Sequence, residues 1–152
     1  MKKIYLIIAV LILTQSCGTV QNIKAEDLST SKIYEDLNKS QSDLYVISNS
    51  WMIDMFKDAE SVIQFSDKET GSIIGKYLMQ GTVTQSGYMS IDTRIFAKID
   101  ISLKDNRAKI SIAPTDDINA WVRNGSVEFS TQINELINSF ETNITSTNPT
   151  DW

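Results

Sequence analysis

Carboxylates are the only plentiful acid–base groups in this 152-residue sequence, which has 19 Asp and Glu residues, one cysteine and no histidine. Hydrolysis by paired carboxylates needs two such groups ~5 to 9.5 Å apart, one of them with a raised pKa in a cleft. The candidate pairs are Asp116 with the adjacent Asp117, and Asp92 with Asp100 on the polar side of an alternating stretch. A chain this acidic produces such pairs by chance, so a carboxylate-dependent hydrolase is the less favoured alternative.

Other catalytic signals are missing from the sequence. Without histidine the chain lacks the commonest general base and the commonest metal ligand. No nucleophile motif, glycine-rich phosphate loop or metal-ligand spacing occurs. We therefore predict no catalytic residues, no cofactor and no metal site, and we expect a protein that acts by binding.

The first 16 residues have the pattern of an export signal. Lys2 and Lys3 precede an unbroken apolar run over residues 4–13. Ten apolar residues are too few to cross a bilayer, which needs ~20, and a basic start followed by a short apolar core is typical of a signal peptide. We predict cleavage after Ser16.

Cys17 follows this leader and is the only cysteine. A cysteine directly after the apolar core and a small residue resembles the lipobox of bacterial lipoproteins, although Thr14 and Gln15 depart from the usual residues. The resemblance implies lipid attachment at Cys17, residues 17–28 as a flexible tether, and a membrane-anchored protein of the cell envelope, periplasmic or on the cell surface. The alternative is a plain secreted protein with a leftover thiol.

The net charge bears on possible partners. The whole chain carries −5; removing residues 1–16 takes away two lysines and leaves 12 basic against 19 acidic residues, or −7. An acidic body repels nucleic acid and anionic headgroups. We therefore expect no nucleic-acid partner, and membrane contact only through the lipid anchor.

Residues 88–115 alternate apolar and polar side chains, which is typical of a half-buried strand. The alternation inverts across Asp105 and Asn106, residues that tolerate the positive φ of a tight turn. This inversion predicts an antiparallel hairpin with these pairs: Leu103 with Ala108, Ile101 with Ile110, Ile99 with Ile112, and Ser102 with Lys109.

Helices and further strands flank this hairpin. Apolar residues three and four apart predict a helix over residues 40–57, which starts at a Ser40–Asp43 capping box and buries Trp51, and a second helix over residues 127–144. Strand patterns occupy residues 31–37, with Ile33 on the apolar side, and residues 61–66 and 73–84, with a turn between the last two that uses Gly71.

These elements predict an α+β domain over residues 29–146, followed by a loose tail. The order is β-α-β-β-β-β-α, and one apolar face on each element favours a curved five-stranded antiparallel sheet with both helices on one side. No disulfide is available to it.

The uncovered side of that sheet is the predicted interaction surface. A two-residue turn at Ser86 and Gly87 places residues there that are typical of interface centres: Tyr77, Met79, Arg94, Phe96 and Lys98. Trp121, in a loop over residues 116–125, is a further candidate. The favoured function is binding of a protein partner or small ligand through this face or loop, and a homodimer is one version. An equally weighted alternative is that Tyr77 and Phe96 are only a stabilising cross-strand pair.

Three segments in this order resemble one bacterial lipoprotein-associated family, the domain of unknown function 4468. They are DLYVISNSWMIDMF, SVIQFSDKETGSIIGKY and FAKIDISLKDNRAKISI, and the resemblance covers residues 32–140. It implies a TATA-binding-protein-like (TBP-like) fold and an occurrence mainly in Bacteroidetes. It implies no activity and no catalytic residues, because a fold does not fix a function.

Overall fold

Residues 95–104 alternate buried and exposed side chains, as their sequence predicts, and form the central strand in a computed structural model of the chain. The structure describes residues 24–56, 62–80, 83–86, 89–92, 94–117 and 123–146. Its strands are β1 (Thr30–Tyr34), β2 (Ile63–Asp67), β3 (Ser72–Gln80), β4 (Val83–Ser86), β5 (Met89–Asp92), β6 (Ile95–Lys104) and β7 (Arg107–Pro114). Its helices are α1 (Gln41–Met55) and α2 (Arg123–Ser146), and a 3₁₀ helix, Ala25–Leu28, precedes β1.

Five strands form one antiparallel sheet in the order β1-β7-β6-β3-β2. The predicted β6–β7 hairpin is confirmed in each pair: Leu103 with Ala108, Ile101 with Ile110, Ile99 with Ile112, and Ser102 with Lys109. Of the two turn residues, Asn106 has a positive φ, 62°, a left-handed conformation that asparagine tolerates, and Asp105 does not. Turn chemistry and hydrophobic alternation therefore select the same register.

Both helices pack on one face of this sheet. Helix α1 starts at the predicted capping box, in which the Ser40 hydroxyl accepts a hydrogen bond from the Asp43 amide at 3.1 Å and the Ser40 amide donates to the Asp43 carboxylate. Helix α2 buries the predicted apolar set: Phe129, Ile133, Leu136, Ile137, Phe140 and Ile144. The predicted α+β fold, with a five-stranded antiparallel sheet and two helices, is confirmed.

A row of five aromatic rings crosses the core from β1 to β3. Neighbouring centroids are 4.4–5.9 Å apart along the series Tyr34, Phe140, Trp51, Phe56 and Tyr77. Trp51 lies in the middle and is fully buried, as predicted. Its Nε1 donates a hydrogen bond to Ser139 Oγ at 3.1 Å, which links α1 to α2.

Strand β1 faces the core with the opposite side from the one predicted. Ile33 is exposed and Tyr34 is buried, because the Tyr34 ring packs on Phe140 and its hydroxyl donates to the Ile137 carbonyl at 3.2 Å. Burial raises the pKa of Tyr34 to about 12, and the negative charge of Glu141 adds to this shift. The hydroxyl therefore stays protonated as a donor even at pH values above the ordinary tyrosine pKa of 10.

One end of the sheet is held together by contacts among turns. The first amide of α1, Gln41 N, donates to Asp105 Oδ1 in the β6–β7 turn at 2.8 Å. The Gln41 side chain donates to the carbonyls of Lys68 and Glu69 in the β2–β3 turn, at 3.1 and 3.0 Å. A single residue at the start of α1 therefore binds both hairpin turns.

Several predicted boundaries differ from the structure. The predicted strand over residues 73–84 divides into β3 and β4, and β4 pairs with β5 in a separate two-stranded sheet. The second helix was predicted over residues 127–144, but helix α2 already starts at Arg123. Residues 123–125 of the predicted loop are therefore helical. Within the predicted tether, Ala25 N donates to Asp117 Oδ1 at 2.9 Å.

Candidate functional site

Two of the predicted interaction residues, Tyr77 and Met79, lie on the helix-covered face, so their placement on the uncovered face was wrong. Tyr77 pairs with Ala97 across the sheet, and its ring lies 4.4 Å from that of Phe56. Met79 is buried in the core. Both residues stabilise the fold, and the predicted cross-strand pairing of Tyr77 with Phe96 does not occur.

A β-bulge causes this exchange of faces. In the β4–β5 hairpin Ser86 pairs with Met89, so the turn is not at Ser86–Gly87 as predicted. This difference shifts the predicted pairing by two residues. Because side chains alternate with a period of two, it leaves each of them on its predicted face. The β3–β6 register then shifts between Leu78, opposite Phe96, and Gln80, opposite Ile95. One extra residue in β3 swaps its two faces.

The face of the sheet away from the helices, hereafter the open face, retains three predicted residues. Phe96 is half-buried there, and Lys98 lies two residues further along β6. The Arg94 guanidinium lies 5.6 Å from the centre of the Phe96 ring, and Lys76 Nζ lies 4.7 Å from it. An aromatic ring and cations are thus brought together.

The bulge also brings Leu78 and Ile74 to the open face, to which the predicted register does not assign them, and Phe65 of strand β2 lies beside them. Leu78 lies opposite Phe96, and Ile74 lies opposite Phe65 on the edge strand. Leu78 and Phe65 are exposed at 39% and 49%. The only signal for them in the sequence was the alternation of β3 itself, which becomes informative once its register with β6 is known.

Positive charge is concentrated on this face. Among the described residues it carries two carboxylates, Asp67 and Asp100, with Glu35 at its rim, against six cationic side chains: Lys76, Arg94, Lys98, Lys104, Arg107 and Lys109. The difference is three positive charges on a chain whose formal net charge is −5. The net charge of the whole chain therefore does not describe the potential at this face.

Two pairs of like charges lie directly across the strands. Lys76 is opposite Lys98, and Lys104 is opposite Arg107. Like charges in these positions destabilise a sheet by a few tenths of a kcal/mol. Lys98 is partly compensated by Asp100 at 3.0 Å. The face thus bears a small cost in stability that a negatively charged partner would remove.

A groove of about 330 Å³ occupies the turn end of the open face. Its lining comes from three neighbouring strands and consists of Ile33, Ser102, Lys104, Arg107 and Lys109. Arg107 forms an ion pair with Glu35 at 2.9 Å. Among the described residues, no carboxylate lines the groove itself.

Trp121 and Cys17 lie outside the described residues, so neither has a described position. Of the predicted carboxylate pairs, Asp116 accepts a hydrogen bond from the neighbouring Thr115 hydroxyl at 2.8 Å, and Asp117 accepts the Ala25 amide. Within the described part of the chain, no three Asp, Glu or Cys side chains gather as a metal site. No described helix is long and apolar enough to cross a bilayer.

Comparison with known proteins identifies the fold. Residues 36–115 match the model of a family described as "Domain of unknown function (DUF4468) with TBP-like fold". A TBP-like protein from Parabacteroides distasonis ATCC 8503 has a similar structure, with a TM-score of 0.59, 13% identity, and coverage of 79% of this chain and 94% of that one. A DUF4468 family protein from Bacteroides ovatus ATCC 8483 aligns with a TM-score of 0.48 and 16% identity over 82% of this chain and 89% of that one. No curated protein matches the sequence.

Proposed function

This chain belongs to the DUF4468 family, a domain of unknown function with a TBP-like fold, and we propose that it is a non-catalytic binding module of the bacterial cell envelope. Lipid on Cys17 anchors it to a membrane, and the open face holds a protein partner. A fold supports many functions, so the proposal is argued from the surface rather than from the fold.

The observation that carries the proposal is the composition of the open face. Leu78 and Phe96 form an apolar cross-strand pair, and Arg94 and Lys76 lie against the Phe96 ring. Aromatic and arginine side chains are enriched at the centres of protein interfaces, where they contribute most of the binding energy. A half-buried aromatic ring with two cations close to it is suited to a partner surface that combines apolar groups with carboxylates.

Catalysis has less support than binding. Asp116 and Asp117 are exposed and accept hydrogen bonds from Thr115 and Ala25, whereas paired-carboxylate hydrolysis needs carboxyl groups enclosed in a cleft. No observation on the described residues favours the hydrolase alternative.

The anchor is tested by replacing Cys17 with serine. We expect the wild-type protein to take up a metabolically supplied fatty-acid label and to remain with the membrane fraction after a high-salt wash, and the Cys17→Ser protein to lose both properties. The physical reason is that two or more acyl chains give stable anchoring. Ser16→Ala is the control, because it retains the cysteine and a small residue before it.

A wild-type protein without label, or a Cys17→Ser protein that stays on the membrane at its fully processed mass, contradicts the anchor. The labelling result separates lipid attachment from retention by an uncleaved leader.

The partner surface is tested by placing a photo-crosslinking amino acid at Phe65 or at Val46. These side chains are exposed at 49% and 48%, but Phe65 lies on the open face and Val46 on helix α1. We expect a discrete adduct in native envelopes from position 65 and none from position 46. Adding Phe96→Glu should reduce the yield of the adduct about 30-fold, because loss of a side chain at the centre of an interface costs ~2 kcal/mol or more of binding free energy.

Val46→Glu is the matched control for the Phe96→Glu substitution. Adducts of similar yield from both positions, or an adduct at position 65 that Phe96→Glu leaves unchanged, would contradict the open-face proposal. The molecular mass in solution tests whether the partner is a second copy of this chain. If both the wild type and the Phe96→Glu variant are monomers, a homodimer is excluded.

A further inference from the structure

We infer that the groove at the turn end of the open face is a separate binding site for a small ligand bearing phosphate, sulfate or carboxylate oxygens. It uses different residues from the proposed protein-binding surface around Leu78 and Phe96, and the two proposals can fail independently.

The groove is built by strand register rather than by chance proximity of surface loops. Lys104 and Arg107 are directly opposite each other on β6 and β7, and Ser102 is opposite Lys109. On the third strand, Ile33 is opposite Lys109. Neighbouring strands are about 4.8 Å apart, so the cationic groups of these side chains converge within reach of one small molecule.

The charge of this site is largely uncompensated. In the described part of the chain three cations line the groove, and one of them, Arg107, has a carboxylate partner, Glu35. That ion pair is more than half exposed, and such pairs contribute little to stability. Lys104 and Lys109 form no ion pair with any residue that the structure describes, and a bound anion would also relieve the repulsion between Lys104 and Arg107.

The donor set matches oxyanions in particular. A guanidinium presents paired N–H groups that fit a phosphate, sulfate or carboxylate, and ammonium groups add charge-assisted hydrogen bonds. The Ser102 hydroxyl is a further donor. Ile33 is half exposed at the wall and supplies an apolar surface for the body of the ligand.

The size of the groove limits the ligand class. A volume of about 330 Å³ is near the lower end of the ~300–1,000 Å³ of small-molecule sites. Two unpaired ammonium groups beside a guanidinium favour a doubly charged anion over a singly charged one. The expected ligand is therefore a small phosphate or sulfate ester or a dicarboxylate.

The test is a titration of the full-length chain with inorganic phosphate, sulfate and succinate at constant ionic strength, followed by backbone amide NMR. We expect saturable shifts at residues 102–109 and at Ile33. The comparison of the three probes shows whether a tetrahedral anion or a dicarboxylate is preferred. Lys104→Ala combined with Lys109→Ala should weaken binding about tenfold or more, because both unpaired charges are removed.

The matched control is Lys76→Ala combined with Lys98→Ala, which removes two lysines from the same face and should change the affinity less than about threefold. Bound phosphate should also raise the melting temperature of the wild type and not that of the Lys104/Lys109 variant. Absence of saturable shifts with all three probes, or equal weakening in both double variants, would overturn the site. Neither result affects the crosslinking test at position 65.

Discussion

Replacing Trp51 with alanine is expected to lower the free energy of unfolding by about 3–5 kcal/mol. The side chain is fully buried at the centre of the aromatic row, with its ring centroid 5.0 Å from that of Phe140 and 5.9 Å from that of Phe56. Truncation leaves a cavity between α1 and α2 and removes the hydrogen bond to Ser139. Since domains of this size are stable by only ~5–15 kcal/mol, much of the stability is lost.

Urea denaturation followed by far-ultraviolet circular dichroism measures this effect. Trp51→Phe is an intermediate case, because it retains an aromatic ring and loses the Nε1 donor, and we expect it to cost about 1–2 kcal/mol. Val46→Ala, at an exposed position of the same helix, should cost no more than about 0.5 kcal/mol. If Trp51→Ala were within that range, the central role of this ring in the core would be refuted.

Replacing Gly71 with alanine is expected to lower the free energy of unfolding by at least about 2 kcal/mol. Gly71 has a φ of +67°, and a Cβ there would lie 2.4 Å from the backbone oxygen of Leu103 and 3.0 Å from the Gln41 side chain. The Leu103 amide donates to the Gly71 carbonyl at 2.8 Å, so the two backbones cannot separate without breaking this hydrogen bond.

Two further variants distinguish backbone strain from steric overlap. Asparagine tolerates positive φ, yet its Cβ meets the same Leu103 oxygen, so Gly71→Asn should lose nearly as much as Gly71→Ala. Gly75→Ala places a Cβ 2.8 Å from the terminal methyl of Met52, a flexible group that can move, and should cost about 1 kcal/mol. Recovery of wild-type stability in Gly71→Asn would show that steric overlap with Leu103 is unimportant.

The part of the fold around the β6–β7 hairpin could be predicted from the sequence because independent local signals agree there. Asp105 and Asn106 select a two-residue turn, and the inverted alternation on either side requires the same register. The capping box at Ser40 and the apolar stripes of both helices are equally local. The hairpin and the two helices each have one apolar side, so all three are buried when both helices pack on the apolar side of the sheet.

The open face could be predicted only in part. Phe96 and Lys98 belong to β6, whose faces follow from the β6–β7 hairpin, and Arg94 directly precedes that strand; all three lie on the face that the sequence indicated. Tyr77 and Met79 belong to β3, whose faces depend on one extra residue at the bulge. No residue type in the sequence signals that extra residue, so Tyr77 and Met79 were assigned to the wrong face.

The groove was missed for a different reason. Lys104, Arg107 and Lys109 could be placed on the polar side of the hairpin from alternation alone, but the apolar wall of the groove, Ile33, comes from the neighbouring strand β1. The predicted orientation of β1 was inverted, with Ile33 in the core. Its true position beside Lys109 reflects the burial of Tyr34 against Phe140, a contact between residues far apart in the chain.

The cations of the open face give the described part of this protein one positively charged side. Positive side chains collect on the open face while the formal charge of the chain is −5, so the excess negative charge lies elsewhere on the molecule. Before contact, the field of an approaching anionic body exerts a torque that turns the cationic side toward it. Salt at physiological ionic strength screens charges beyond about 8 Å, so this alignment acts only when the two surfaces are about that close.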